Sequence, residues 1–118
     1  MKGRLFLFQW HEESAQQRAR ELREAGWEVE VEWEDGARGG NNVRANPPDL
    51  IVMDLARRPS HSRETADWLR SLKATRHIPI VFVDGTEEAI AKTKAKVGEA
   101  IYTSSSELRG VLEHQTGR

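Results

Sequence analysis

The segment PDLIVMDL, residues 48–55, constrains the fold of this chain more than any other stretch of the sequence. Its apolar run Leu50–Met53 is too short for a helix and has no polar face, which is typical of a strand buried on both sides of a parallel sheet. Asp54 follows at once, where such a strand would end. A charge at the end of a buried strand indicates either a chemical role or the remnant of one.

Apolar runs and helical patterns alternate along the sequence. Strands are predicted at Leu5–Phe8, Trp27–Glu34, Leu50–Met53, Ile78–Val83 and Ala100–Tyr102. Helices are predicted at Glu12–Ala25, Arg63–Ala74 and Glu87–Val97, with a last helix opened by Ser104–Glu107, which matches a capping box. Alternation of this kind predicts an α/β fold with a parallel sheet and helices on both of its faces.

The segment DGARGGNNVRANPP, residues 35–48, departs from this alternation. It has glycines and asparagines at 39–42 where a helix would be expected, and each glycine costs a helix about 1 kcal/mol. We therefore predict that the segment is mostly loop and that the second helix is short or absent. The strand before it would then be an exposed edge, in agreement with its glutamates at 28, 30, 32 and 34.

The continuous apolar character of strands one, three and four places them at the centre of the sheet, and the charged second strand belongs at an edge. A strand order of 2-1-3-4-5 follows, with the functional crevice at the carboxyl ends of the strands. The residues that this order brings to the crevice are Gln9, Trp10, His11, Glu12, Asp54, Asp84 and Thr103–Ser106. Asp54 and Asp84 end neighbouring strands, so we expect their carboxylates to lie close together.

Length and composition narrow the classes of function. The chain has 118 residues, for which we expect one domain, residues 1–118, and no effector domain. A net charge of −1 provides no field that would favour nucleic acid or an anionic membrane. Because there is no cysteine, disulfides, thiolate nucleophiles and cysteine-based metal sites are excluded. The apolar runs are far too short to span a membrane and no cleavage site follows the N-terminal residues, so a reducing, cytoplasmic location is expected.

Five fragments stand in a characteristic order along the sequence: AGWEV after the first helix, EDG after strand two, PPDLIVMDL around Asp54, HIPIVFV in strand four and VGEAIYTSSS around strand five. Together they make the sequence similar to the receiver domain of bacterial two-component response regulators. The resemblance covers nearly the whole chain and implies a flavodoxin-like, three-layer α/β sandwich. It also implies that Asp54 accepts a phosphoryl group from a histidine kinase. In that family an acidic pair after strand one helps to hold Mg²⁺, a hydroxyl group ends strand four, and a lysine follows strand five.

The sequence departs from the family at each of these partner positions. The acidic pair falls on Gln9 and Trp10, the hydroxyl position on Asp84, and the lysine position on Ser105, or on Ser106 if the loop shifts by one residue. Fewer carboxylates weaken a Mg²⁺ site, and Asp84 would repel a phosphoryl group. We therefore expect a degenerate receiver, or pseudo-receiver. In it, Asp54 is either a working phosphoacceptor or a relic carboxylate satisfied by backbone N–H groups of the neighbouring loop.

Three functional hypotheses follow. The first is a stand-alone signalling module that is not an enzyme and acts by protein–protein interaction, without conventional Mg²⁺-dependent phosphorylation. The second is an active phosphorelay receiver that is phosphorylated on Asp54. The third is a small metal- or ligand-binding domain that uses the crevice between Asp54 and Asp84, where these carboxylates and Glu12 would bind Mg²⁺ or another divalent cation.

Candidate partners are other signalling proteins, among them a histidine kinase. Arg57, Arg58 and Arg63 follow Asp54 closely in the sequence, where they could receive an anion or a partner's carboxylate, or form a salt-bridged surface loop. Receiver domains often pair through the fourth helix, the fifth strand and the fifth helix. The resemblance therefore adds a homodimer through the surface of residues 87–115 as a hypothesis.

Overall fold

Strands and helices alternate through residues 2–116, which are the residues that the computed structural model describes. The strands are β1 (Gly3–Phe8), β2 (Trp27–Glu32), β3 (Leu50–Asp54), β4 (Ile80–Val83) and β5 (Ile101–Thr103). The helices are α1 (Glu12–Glu24), α2 (Gly36–Ala45), α3 (Pro59–Ser71), α4 (Glu87–Val97) and α5 (Leu108–Thr116). Every strand predicted from an apolar run is present, and for the strands the prediction differs from the structure only at their ends.

The five strands form one parallel sheet in the order β2-β1-β3-β4-β5, which confirms the predicted order. β3 is buried over its whole length between β1 and β4, which explains its unbroken apolar run. On one face of the sheet, Leu7 and Val52 pack in a core that includes residues of α1 and α5. On the other face, Phe8 and Met53 pack in a core that includes residues of α2, α3 and α4. These layers make the flavodoxin-like sandwich.

The termini of α4 lie where the sequence predicts them. The Thr86 hydroxyl oxygen accepts a hydrogen bond from the N–H of Ala89 at 3.0 Å, so Thr86 is the N-cap. At the other end Gly98 adopts a positive φ of 83°, which glycine tolerates without a steric penalty. By contrast, α3 begins at Pro59 and not at Arg63, because the fixed φ of proline suits the first turn of a helix.

The prediction of a short or absent second helix is wrong. The segment Gly36–Ala45 forms a regular helix of 10 residues. Asp35 is its N-cap, and a carboxylate oxygen of Asp35 accepts a hydrogen bond from the N–H of Arg38 at 3.0 Å. The low helix propensity of this segment is therefore overridden by capping and by tertiary packing.

Close packing accounts for the glycines of α2. Gly39 and Gly40 are buried, and a Cβ atom on Gly39 would overlap Cε2 of Phe8. A Cβ atom on Gly40 would overlap Cζ3 of Trp68 and lie 2.9 Å from its Cε3. Because neither position carries a side chain, α2 can approach both the sheet and α3. The two glycines are thus a packing surface, which a local propensity argument mistakes for a loop signal.

Glu32 is a second correction, because it does not lie on the exposed face with the other glutamates of its strand. Its side chain is buried, with only 5% of the residue exposed. β2 ends at Glu32, and the carboxylate accepts hydrogen bonds from the N–H groups of Glu34 at 3.0 Å and Asp35 at 2.9 Å. The guanidinium of Arg38 donates two more, at 2.8 and 2.6 Å. Glu32 therefore joins the end of the edge strand to the start of α2.

Candidate functional site

The candidate site lies at the carboxyl edge of the sheet, where β3 and β4 end side by side. Asp54, the last residue of β3, is in register with Val83, so Asp84 follows at the same edge on the neighbouring strand. The negative charge of Asp84 is one of the influences that raise the pKa of Asp54, as expected for two neighbouring carboxylates. The structure therefore brings the two aspartates together as the strand order predicts.

Asp54 is a buried carboxylate held by the loop that follows it. Only 4% of the residue is exposed, and Oδ2 accepts a hydrogen bond from the N–H of Arg57 at 3.0 Å. Burial is the main cause that raises the pKa of Asp54 above its ordinary value. The backbone N–H groups of Arg57 and Ala56 and the charge of Arg18 oppose that rise. The Asp54 carboxylate thus accepts hydrogen bonds from backbone N–H groups, while Arg18 affects its pKa through charge alone.

Trp10 fills the interior next to the end of β3. The residue is 5% exposed, and its indole Nε1–H donates a hydrogen bond to Oγ of Ser62 at 2.8 Å. The hydroxyl of Ser62 in turn donates to the backbone carbonyl of Asp54 at 2.6 Å. The indole packs against Phe8 on one side and meets His61 edge-on, with ring centroids 5.9 and 5.3 Å apart. A satisfied, fully packed indole therefore stands at a position where the receiver family has a carboxylate.

Gln9 is buried at the same edge, with 8% of the residue exposed. Its Oε1 atom has no hydrogen-bond partner among residues 2–116. An amide oxygen carries no formal charge, so Gln9 offers a weaker ligand to a hard cation than the acidic residue of the family would.

Asp84, Ser105 and Arg18 form a cluster that joins three elements across the edge. A carboxylate oxygen of Asp84 accepts the N–H of Ser105 at 2.8 Å, and the other accepts the Ser105 hydroxyl. Nη2 of Arg18 donates to Oγ of Ser105 at 2.6 Å and lies 4.0 Å from Oδ2 of Asp84. The sequence left open whether Ser105 or Ser106 occupies this place. The structure assigns it to Ser105.

Arg18 is the residue of this site that the sequence analysis missed. It projects from α1, whose buried positions are Ala15, Ala19 and Leu22. Residue 18 lies three positions after the first of these and four before the last, so helical periodicity places it beside the buried face. An arginine at such a position is a usable signal, because a charge near a core needs a partner.

The three arginines predicted to lie near Asp54 differ in their environments. Of Arg57, Arg58 and Arg63, the contact with Asp54 comes from the backbone N–H of Arg57. Arg58 adopts a positive φ of 51° immediately before Pro59, and its side chain is exposed. Nη1 of Arg63 is buried and has no hydrogen-bond partner within the described residues.

The described residues do not assemble the divalent-cation site suggested for Glu12, Asp54 and Asp84. Within residues 2–116, no group of three or more histidine, aspartate and glutamate side chains is placed to hold a metal ion. Glu12 is exposed in the first turn of α1. With Gln9 and Trp10 in place of an acidic pair, the donor set does not fit the oxygen-rich octahedron that Mg²⁺ requires.

A groove of about 440 Å³ lies to one side of this edge, between α2 and α3. His61, Glu64 and Trp68 are among the residues that line it. Neither Asp54 nor Asp84 belongs to its lining, so it is a separate concavity and not the crevice between the two aspartates.

The parallel sheet of order 2-1-3-4-5 and the five helices of residues 2–116 form the fold found in solved structures of receiver domains. No family model matches the sequence, and no curated protein matches it. Solved structures do match it along nearly the whole chain. Within residues 2–116, no helix has the length and apolar character needed to cross a membrane.

Three of the similar structures illustrate the range of receiver domains. A proposed response regulator from Chloroflexus aurantiacus is 20% identical, with a TM-score of 0.81 and 98% of each chain covered. The chemotaxis protein CheY4 of Vibrio cholerae is 17% identical, with a TM-score of 0.79 and coverage of 94% of this chain and 96% of that one. The receiver domain of a sensor histidine kinase from Pseudomonas aeruginosa is 18% identical, with a TM-score of 0.76 and 98% of each chain covered. That structure has a magnesium ion coordinated in its active-site cleft. At such low identity, these similarities establish the receiver-domain fold of this chain and not its chemistry.

Proposed function

We propose that this chain is a receiver-like signalling module that acts through protein–protein contacts in the cytoplasm, without Mg²⁺-dependent phosphorylation of Asp54. The buried indole of Trp10 carries this proposal. The indole donates a hydrogen bond to Ser62, which donates one to the backbone carbonyl of Asp54. The interior beside Asp54 is therefore packed with an apolar ring. To admit a hydrated cation here, the protein would have to displace an aromatic ring and break its hydrogen bond.

Asp84 supports the proposal from the other side of the acceptor. A phosphoryl group on Asp54 would add negative charge near a carboxylate that already raises the pKa of Asp54. The Ser105 donors beside it are already bonded to Asp84. Phosphorylation would thus meet charge repulsion at a place where the Ser105 donors are already engaged.

The proposed partners are other signalling proteins, among them a histidine kinase, and a second copy of this chain. For a second copy, the proposed surface is that of residues 87–115. Tyr102 of β5 lies on this surface, where the ammonium group of Lys94 stands 5.1 Å from the centre of its ring. An aromatic ring with a cation over it, between α4 and α5, is a reasonable anchor for a protein contact.

Incubation with acetyl phosphate and Mg²⁺, followed by intact-mass measurement, tests the proposal. We expect no mass gain under conditions that fully label a phosphorylatable receiver domain run in parallel. A gain of one phosphoryl group that disappears in Asp54→Asn would overturn the proposal and establish a phosphorelay receiver. That second function is favoured by one observation, the retention of a buried carboxylate with a raised pKa at the end of β3.

A further inference from the structure

The donors around Asp84 are arranged as an anion-binding site. The N–H and the hydroxyl of Ser105 both point at the carboxylate of Asp84, from the loop between β5 and α5. Arg18 reaches the same place from α1, with one nitrogen on the Ser105 hydroxyl and 4.0 Å from the carboxylate. A backbone N–H, a hydroxyl and a guanidinium that converge on one point are the donors that proteins use for oxyanions.

Two features distinguish this cluster from an ordinary surface salt bridge. The Arg18 side chain is only 15% exposed, and its Nη1 is buried without a hydrogen-bond partner among residues 2–116. Asp84 has a left-handed backbone, with a φ of 62°, that turns the chain sharply at the end of β4. Aspartate tolerates this conformation better than most residues do, although glycine fits it best. The backbone is therefore shaped to deliver a carboxylate to donors on two other elements.

We propose that Asp84 is a resident anion, a carboxylate of the chain itself that fills a site built for a phosphate-like oxyanion. Because the anion is covalently part of the chain, the Ser105 loop, α1 and the end of β4 are held in the anion-bound arrangement at all times. If the proposed function holds, the module presents a single, constant surface to its partners.

Removal of the carboxylate should vacate the site and let a free anion enter. In Asp84→Gly the left-handed backbone is retained, whereas in Asp84→Asn the side chain stays in place without its charge. We would titrate each protein with inorganic phosphate, in magnesium-free buffer at constant ionic strength, and follow the amide resonance of Ser105 by NMR. We expect Asp84→Gly to bind phosphate at least about tenfold more tightly than the unaltered protein, since tenfold is about 1.4 kcal/mol, no more than one charge-assisted hydrogen bond contributes. Asp84→Asn should lie between the two.

The matched control is Asp84→Gly combined with Arg18→Gln, which removes the cation from the vacated site. The double variant should return to the weak affinity of the unaltered protein. Equal phosphate affinity in Asp84→Gly and the unaltered protein would overturn the proposal, as would tight binding that survives the loss of Arg18. If Asp84→Gly does not fold, the comparison of Asp84→Asn with the unaltered protein decides the matter, and equal affinities there contradict the resident anion.

This experiment is independent of the phosphodonor test. It contains neither Mg²⁺ nor a reactive phosphoryl group, so nothing can be transferred to Asp54. If Asp54 is phosphorylated and the phosphate titrations come out as expected, the proposed function is refuted and the resident anion stands. If Asp54 is not phosphorylated and the Asp84 variants bind phosphate no more tightly than the unaltered protein, the resident anion is refuted and the proposed function stands.

Discussion

Glu32 and Asp54 both have almost no exposed surface at the ends of two strands of one sheet, yet their pKa values move in opposite directions. Glu32 is 5% exposed and Asp54 is 4% exposed. The pKa of Glu32 falls to about 2, mainly because the Arg38 guanidinium donates hydrogen bonds to its carboxylate. The pKa of Asp54 rises, mainly because burial disfavours its charge. Burial alone therefore does not decide the state of a carboxylate, since a cation within hydrogen-bond distance reverses its effect.

This difference distinguishes Glu32, whose carboxylate is structural, from Asp54, whose carboxylate is available for chemistry. Glu32 stabilises the fold by tying the end of β2 to α2, and its pairing with Arg38 leaves it little reactivity. Asp54 has backbone donors but no ion pair within the described residues, so its charge is held at a cost in stability. Unpaired buried carboxylates of this kind are typical of functional sites, and a degenerate site can retain the cost after the chemistry is gone.

Glu32→Gln removes the charge from the structural carboxylate and should give the largest effect. The amide keeps the size of the side chain, but it cannot accept from Arg38 and from two backbone N–H groups at once. We expect the free energy of unfolding to fall by about 2–3 kcal/mol, measured by urea denaturation. Glu34→Gln is the matched control: its side chain is 70% exposed and lies 3.5 Å from the same guanidinium. It should change stability by less than about 1 kcal/mol. Equal losses in the two variants would contradict the comparison.

Gly39→Ala tests the packing that holds α2 against Glu32. The new Cβ would overlap the ring of Phe8 and lie 3.0 Å from Cγ of Glu32. Overpacking costs about 1–3 kcal/mol, while alanine's higher helix propensity returns about 1 kcal/mol. We therefore expect a net loss of up to about 2 kcal/mol in thermal or urea unfolding. Gly110→Ala in α5, where a Cβ would meet no atom within 4 Å, should instead raise stability. A stabilising Gly39→Ala would mean that α2 is not packed as described.

Asp54→Asn should act in the opposite direction to Glu32→Gln. Asparagine keeps an oxygen that can accept from the N–H of Arg57, and it removes the buried charge. We expect the free energy of unfolding at neutral pH to rise by about 0.5–2 kcal/mol. The exposed control Glu12→Gln should leave it within about 0.5 kcal/mol of the unaltered protein. A loss of stability in Asp54→Asn would show that the charge of Asp54 is compensated by a partner.

The pH dependence of the free energy of unfolding in Glu32→Gln and Asp54→Asn tests the same comparison. We expect it to be the smallest of these effects. The folded-state pKa of Glu32 is about 2, against an ordinary value of 4.5, so its stabilisation is complete above pH 4.5 and is lost as the pH falls toward 2. The deficit of Glu32→Gln should therefore shrink in that range. Asp54 has a pKa above its ordinary 3.8, so its cost is present at neutral pH and is relieved as the pH falls through the raised value. As the pH is lowered from neutral, the stability advantage of Asp54→Asn should therefore shrink before the deficit of Glu32→Gln does. Urea unfolding across acid buffers measures both, and parallel curves would contradict the assignment.

Glu32 also illustrates why sequence patterns predicted the sheet more reliably than the site. Strict alternation in WEVEVE identified a strand and its edge position, because a period of two reports which face is buried. The same alternation placed Glu32 on the solvent side. Its burial depends on where the strand stops and on the presence of α2, and α2 depends on glycines that fit Phe8 and Trp68. Those are contacts between residues distant in the chain, which no local pattern reports.

The candidate site divides in the same way. The positions of Gln9, Trp10, Asp54 and Asp84 at one edge followed from strand order alone, because parallel strands bring their carboxyl ends together. The contribution of Arg18 did not follow from strand order, since Arg18 lies on α1 and reaches the site through a hydrogen bond to Ser105. The choice of Ser105 over Ser106 likewise required the path of the loop after β5.

The sequence by itself determined the strand order, the core of the sheet and the aspartate at the end of β3, because hydrophobic periodicity and connection order are properties of the chain. Only the tertiary structure decided that the glycine-rich segment is a helix, that Glu32 is buried and paired, and that Asp84 is bound by Ser105 beside Arg18. Each of these depends on a close approach between elements. The energy of such an approach comes from packing and hydrogen bonds across the fold, which outweigh the local preferences that a sequence displays.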